Sequence, residues 1–192
     1  MSYYDEELLA AKKALEREKH KTLETGIYVD DQLIQFSETS LEGLKIKVVL
    51  PDNFVVMPEE LKNIKYPSKN APSVLFMNLD TTVNFGFNSL PVSLHEGEIL
   101  EVSQKFQTAI KNINPATIFD KTGDSVTDAG NEMSWFDFKG YSLDGQSYNR
   151  MVLVRFNGFT IQGIFNCPDR DWIKWEPIVD KVFRTIEERL YK

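Results

Sequence analysis

The 192-residue chain has a single cysteine, Cys167, and two histidines, His20 and His95. A lone thiol excludes an intramolecular disulfide and any site built from several thiolates, and it suits a reducing compartment. So few histidines leave little material for a histidine-dependent hydrolase. The chain carries no glycine-rich phosphate loop, Walker motif or dinucleotide fingerprint, which removes the usual basis for reading nucleotide chemistry. No stretch approaches ~20 apolar residues, and the start Met1-Ser2-Tyr3-Tyr4-Asp5-Glu6-Glu7 lacks the basic and apolar segments of a secretory signal. Positive charge is also scarce. Lysine and arginine number 22 against 29 acidic residues, a net charge of -7 that has the wrong sign for a general nucleic-acid or anionic-membrane binder. The expectation is a cytoplasmic protein with no membrane and no nucleic-acid partner.

What is present is enough for a substantial interior: 42% of the residues are hydrophobic, among them 13 Phe, 7 Tyr and 3 Trp. The most informative stretch runs from Tyr148 to Cys167, two alternating apolar runs joined by Asn157-Gly158. Both residues of that dipeptide tolerate the positive φ of a type I′ turn, so the stretch reads as a hairpin with Phe156 facing Phe159. One face then carries Val152, Val154, Phe156, Phe159, Ile161, Phe165 and Cys167, and the other Met151, Leu153 and Ile164. Apolar groups on both faces predict a sheet covered on both sides.

Residues 5–23 have the composition of a helix, with Tyr4, Leu8, Ala11 and Leu15 at helical spacing and a charged run from Glu16 to Lys21. Gly26 ends this helix, and short strands are expected over 27–29, 33–36 and 44–50. The segment from Met57 to Pro72 contains Pro58, Pro67 and Pro72 and reads as a surface connection with one helical turn near Glu59 to Lys62. Strands over 73–77 and 82–88 follow. Ser93-Leu94-His95-Glu96 has the form of a capping box, opening a helix whose stripe is Ile99, Val102, Phe106, Ala109, Ile110 and Ile113. Further strands are expected over 116–121, about 125–127 and 132–141, with Gly123 and Asp144-Gly145 as turns. That last turn sets Phe136 and Phe138 beside Met151 and Leu153, and Asp137 near Val152 with Arg150 on the diagonal. Pro177 suits the first turn of a closing helix with Ile178, Val182, Phe183, Ile186 and Leu190 inward.

Three groups of residues carry a family resemblance: Leu50-Pro51-Asp52-Asn53-Phe54, Thr82-Val83-Asn84-Phe85, and Phe165-Asn166-Cys167-Pro168 running into Trp175-Glu176-Pro177. With the element order from about Leu44 onward, they resemble the PsbP-like superfamily. That superfamily includes the photosystem extrinsic protein, the yeast Ran-binding import factor Mog and many bacterial domains without assigned function, to which this chain is most similar. The resemblance implies an α+β fold, an α/β/α sandwich with a mostly antiparallel central sheet of six to eight strands and helices on both faces. The N-terminal amphipathic helix (1–25) lies outside the superfamily's usual pattern, and residues 26–192 are expected to form the sandwich domain. The resemblance implies scaffolding and protein contact over catalysis, and it brings no site residue, since the motifs are ones of shape.

The chemical candidates each have a structural counterpart. His20 sits in a charged helical run and His95 in a helix's first turn. Cys167 is either a thiol activated by the helix start after Pro168 or a member of the apolar face. Asp169 and Asp171, and Asp120, Asp124 and Asp128, read as turn and capping residues, without the glycine and glutamate of a calcium loop. Asp137 is an acid or half of an ion pair with Arg150. Trp135, Trp172 and Trp175 line a pocket or pack a helix. The N-terminal helix recruits a partner or folds back on its own domain.

No metal and no cofactor is expected. The resulting expectation is a bacterial non-enzymatic interaction or adaptor module, whose candidate surface comprises Tyr4, Leu8, Leu15, Tyr66 and Trp172. It would act through an unidentified protein partner or by self-association through the N-terminal helix. The alternative is a small-ligand-binding domain or unrecognised enzyme, with its pocket between the sheet and the 57–72 loop.

Overall fold

A computed structural model describes residues 3–68, 71–142 and 145–189, leaving aside the side chains of Tyr3, Tyr4 and Ser142. In chain order the elements are α1 (Tyr3–Glu18), β1 (Lys21–Thr22), β2 (Gly26–Val29), β3 (Gln32–Ile34), β4 (Phe36–Leu41), β5 (Ile46–Pro51) and β6 (Val55–Val56). They continue with α2 (Glu59–Lys65), β7 (Val74–Met77), β8 (Asn84–Leu90), α3 (Ile99–Ile113), β9 (Ile118–Val126), β10 (Glu132–Ser142), β11 (Gly145–Phe156), β12 (Phe159–Pro168), α4 (Trp172–Arg184) and β13 (Glu187–Glu188).

Seven strands form the central antiparallel sheet in the order β6-β7-β8-β12-β11-β10-β9, and two small sheets, β1-β2-β3 and β13-β5-β4, complete the strands. The expected α+β sandwich with six to eight central strands is observed. Phe156 pairs with Phe159, Val154 with Ile161 and Arg150 with Phe165, as the Asn157-Gly158 turn requires. One face of this sheet packs on α4, through Ile178, Val179, Val182 and Phe183, and on Ile46, Val48 and Leu50 of β5. The other meets α3 where Leu153 packs with Leu94 and Ile99, and meets α2 where Leu75 and Met77 pack with Leu61 and Tyr66. Both faces are covered.

Several local expectations are corrected. Ser142 pairs with Gly145, which moves the β10–β11 register by two residues from the expected one. Asp137 therefore lies directly opposite Arg150, Phe136 opposite Met151 and Leu153 opposite Ser134. Gly145 belongs to the strand, while Asp144 falls outside the described residues, as do Leu190 and the Lys69-Asn70 part of the long connection. Gly123 is no turn but lies inside one continuous strand, where a Cβ would come 2.7 Å from the Trp135 ring. The glycine makes room for the indole.

Ser93 caps nothing. Gly97 has a φ of +83°, incompatible with a right-handed helix, so α3 begins only at Ile99, and Glu98 accepts the His95 amide at 2.7 Å instead. Burial then fades along the helix, leaving Ala109 and Ile113 exposed. The connection after Met57 holds seven helical residues, more than the expected turn. At the other end, α4 starts at Trp172, so Pro177 is inside the helix. It is tolerated because the carbonyl it leaves without a partner belongs to Ile173, which is 79% exposed. Finally, α1 ends at Glu18, short of the expected stop at Gly26, and Lys21 pairs with Ile27 and Thr22 with Gly26, so residues 23–25 turn the first hairpin.

Candidate functional site

Register places three asparagines in one row across three neighbouring strands: Asn84 of β8 opposite Asn166 of β12, and Asn166 opposite Asn149 of β11. Asparagine is a poor strand residue, and a half-buried sheet face would normally be filled by branched or aromatic side chains. Here two of the amides bond to each other. Asn84 Nδ2 donates to Asn166 Oδ1 at 2.8 Å, and Asn166 Nδ2 donates to the Tyr66 hydroxyl at 2.7 Å. Asn149 Nδ2 donates to the Phe138 carbonyl and to Ser147 Oγ, both at 3.2 Å. Asn84 is 3% exposed, and its Oδ1 is buried without a hydrogen-bond partner.

Tyr66 reaches this row because it caps α2, its amide donating to the Lys62 carbonyl at 2.7 Å. The helix is held by Leu61 and Tyr66 packing against Met57, Leu75 and Met77, and by Lys62 Nζ donating to the Ser73 carbonyl at 3.2 Å. Beneath it lies a cleft of about 700 Å³ bordered by Leu61, Ile64, Tyr66 and the asparagine row. It occupies the place expected for a pocket under the 57–72 connection. Burial pushes the Tyr66 phenol up, opposed by its hydrogen bond with Asn166, so the hydroxyl keeps its proton at neutral pH.

Cys167 borders the same cleft, but its side chain is buried in the core cluster on the other face. Burial, with Asp171 and Asp169 adding repulsion, pushes its thiol from 9.0 up to about 12. That opposes the activated-thiol reading. Between pH 9.0 and about 12 the unfolded chain releases this proton while the folded chain keeps it, so stability is lost as pH rises. Urea midpoints of the wild type should therefore fall more steeply over that range than those of Cys167→Ala. Parallel curves would contradict this assignment.

A second cavity of about 610 Å³ is bordered by Asp30, Asp31, Asp80, Asp171, Lys174 and Trp175. Lys174 bridges Asp30 at 2.9 Å and Asp171 at 3.1 Å, while Arg17 pairs with Asp31 at 2.9 Å. Among the described residues no group of three or more His, Cys, Asp or Glu side chains is placed to hold a metal ion.

The remaining sequence candidates are dispersed. Trp172 is a correction to the expected surface: it is buried, stacked on Tyr148 with ring centroids 4.0 Å apart. Leu8 and Leu15 are 58% and 67% exposed, while Tyr66 belongs to the cleft. The Tyr4 side chain lies outside the described part. Asp137 and Arg150 form a buried bidentate pair at 2.7 and 2.8 Å, as an ion pair would. His20 Nδ1 bonds the Thr25 carbonyl beside α1, and His95 is exposed. The asparagine row is what sequence reasoning missed. Its signal was available in part, since the Asn157-Gly158 register itself sets Asn149 opposite Asn166.

No protein-family model matches the sequence, and no curated protein matches it. Solved structures do. Cyanobacterial PsbP from Synechocystis aligns with a TM-score of 0.61 at 11% identity, over 80% of this chain and 92% of that one. LpqN of Mycobacterium tuberculosis, described as involved in cell envelope biogenesis, aligns with a TM-score of 0.54 at 14% identity, over 87% and 96% of the two chains. At such identities the likeness speaks of architecture alone. It agrees with the seven-stranded sheet covered by α4 on one face and by α2 and α3 on the other: the chain has a PsbP-like fold.

Proposed function

We propose that this protein is a non-enzymatic interaction module of a bacterial cytoplasm, and that its docking element is α1, paired with α1 of a second copy. The carrying observation is that α1 is exposed on every side: residues 5–18 are all exposed, with Leu8, Leu9 and Leu15 each more than half so. An amphipathic helix of 16 residues is marginal alone in water and gains stability by burying its apolar stripe. Leu8, Ala11 and Leu15 repeat at spacings of three and four, the pattern of a two-helix seam. An antiparallel second copy with Leu8 set against Leu15 closes this stripe on itself about a two-fold axis.

The non-enzymatic part rests on the groups bordering the amide cleft. The thiol and the phenol there are both pushed toward their neutral forms, the row consists of amides, which bind without exchanging protons, and Lys65, which also borders the cleft, is engaged by the Thr81 hydroxyl. The cytoplasmic part rests on the lone, buried thiol.

Sedimentation of the full chain tests the pairing. The wild type should sediment as a dimer and Leu8→Glu/Leu15→Glu as a monomer, with unfolding free energies within about 0.5 kcal/mol at a concentration where both are monomeric. A wild type that stays monomeric throughout the micromolar range overturns the reading.

A further inference from the structure

The sequence leaves α1 two fates, recruiting a partner or folding back on its own domain. Contacts at the end of the helix bear on the choice. Arg17, in the last turn of α1, reaches the turn between β2 and β3. Its Nη2 donates to the Asp30 carbonyl at 2.6 Å and to Asp31 Oδ1 at 2.9 Å, and its guanidinium carbon lies 5.6 Å from the Tyr28 ring centroid. Just past the helix, the His20 ring meets Tyr28 edge-on with centroids 5.6 Å apart, and its Nδ1 donates to the Thr25 carbonyl. The hairpin is itself tied to the core. Lys174 of α4 bridges Asp30 at 2.9 Å, and Ile27 and Val29 pack against the buried cluster. A lone exposed ion pair contributes little, but here one planar group makes two hydrogen bonds and a ring contact to the same hairpin.

The position of Arg17 around the helix gives these contacts a consequence. Successive side chains of an α-helix are about 100° apart, which sets Arg17 about 160° from Leu15 and about 180° from Leu8. The face held against the hairpin is therefore opposite the apolar stripe. While Arg17 is engaged, Leu8 and Leu15 point away from their own domain, in agreement with their exposures of 58% and 67%. We propose that Arg17 is a positioning residue: it clamps the end of α1 to the β2–β3 hairpin, holds the helix as a rigid arm and turns the stripe outward, toward a second copy. The last part rests on the pairing proposed above, whereas the clamp stands on its own contacts. An arm already held in its docking pose has less conformational entropy to lose on association, so the clamp strengthens the pairing.

Full-length chains test the two parts separately. In the Leu8→Glu/Leu15→Glu background, where pairing is removed, ¹⁵N relaxation should give the α1 amides order parameters near the rigid value of about 0.85, and adding Arg17→Gln should bring them below about 0.6. Arg17→Lys, which keeps the charge but loses the fork, should fall between the two. With the leucines intact, Arg17→Gln should weaken the dimer about tenfold while leaving the urea midpoint of the domain unchanged. Amides of α1 that are as mobile with Arg17 as without it overturn the clamp, whatever the oligomeric state. Dimer affinity unchanged by Arg17→Gln overturns its role in pairing. A wild type that is monomeric, yet has an α1 whose rigidity is lost in Arg17→Gln, overturns the pairing and supports the clamp.

Discussion

Replacing Asp137 with alanine is expected to lower the free energy of unfolding by about 3–5 kcal/mol, the cost of stranding one member of a buried ion pair. Asp137 is fully buried, and Arg150 nearly so. Two parallel bonds join them: Nε to Oδ1 at 2.7 Å and one terminal nitrogen to Oδ2 at 2.8 Å. The guanidinium lies 4.2 Å from the Trp135 ring centroid and 5.1 Å from that of Trp172, so it is enclosed by aromatic faces as well as by its carboxylate. The Tyr148 hydroxyl adds a third contact, 3.1 Å from Asp137 Oδ2 and 2.9 Å from Asp120 Oδ2. Its single hydrogen serves one carboxylate at a time. Burial, reinforced by these two carboxylates, pushes the phenol far up.

Alanine at 137 would leave Arg150 charged in this enclosure. Asp180, 3.9 Å from Nη1 and partly exposed, is too distant to replace the lost bonds. The double variant Asp137→Leu/Arg150→Met should recover most of the loss, because a packed apolar pair of similar size is often as stable as a buried ion pair. Urea denaturation of the two variants checks both statements. A loss under about 1 kcal/mol for Asp137→Ala would show that Arg150 finds solvent or another anion, contradicting its burial.

The second large effect is expected at Phe183, where alanine should cost about 3–5 kcal/mol. This ring is buried and touches Phe85 and Phe87 edge-on, with centroids 5.8 and 6.3 Å away. It also sits where a side chain of β12 would stand. A Cβ on Gly163 would come 2.6 Å from Phe183 Cε1, so the missing side chain is what lets α4 approach the sheet. Gly163→Ala alone should cost about 1–3 kcal/mol by overpacking. In a Phe183→Ala background the same methyl enters a cavity, and its effect should vanish or turn favourable. The two changes should therefore couple by about 0.5–3 kcal/mol, and strictly additive losses in a double-mutant cycle would refute the account.

Residues close in sequence explain where the reading of the chain succeeded. Asn157-Gly158 set the register of β11 and β12 because a two-residue turn leaves no freedom in which residues face each other. Alternation then placed Val152, Val154 and Ile161 on the α4 face and Leu153 on the α3 face. The turn at the end of β10 was different. Asp144-Gly145 has the same chemistry as a hairpin turn, yet Gly145 is paired with Ser142, and the two-residue error hid the direct opposition of Asp137 and Arg150. Glycines were ambiguous for a related reason. At Gly97 a positive φ interrupts the chain, whereas at Gly123 and Gly163 it is an aromatic ring from another element that claims the space. Only the second kind depends on residues far away.

The candidate site divides along the same line. Local turn chemistry already places Asn149 beside Asn166, since both belong to one hairpin. Asn84 joins them through a pairing of β8 with β12 that spans 82 residues, and Tyr66 arrives from a helix 100 residues before Asn166. Short-range preferences decide the twist, period and turns of a segment, and in this chain they determined the elements of the main hairpin and the two covered faces of its sheet. Which strands lie side by side is decided by the burial of distant apolar surfaces against one another. Only that packing assembled the asparagine row, enclosed Arg150 between two tryptophans, moved Trp172 from the surface to the core and left α1 exposed.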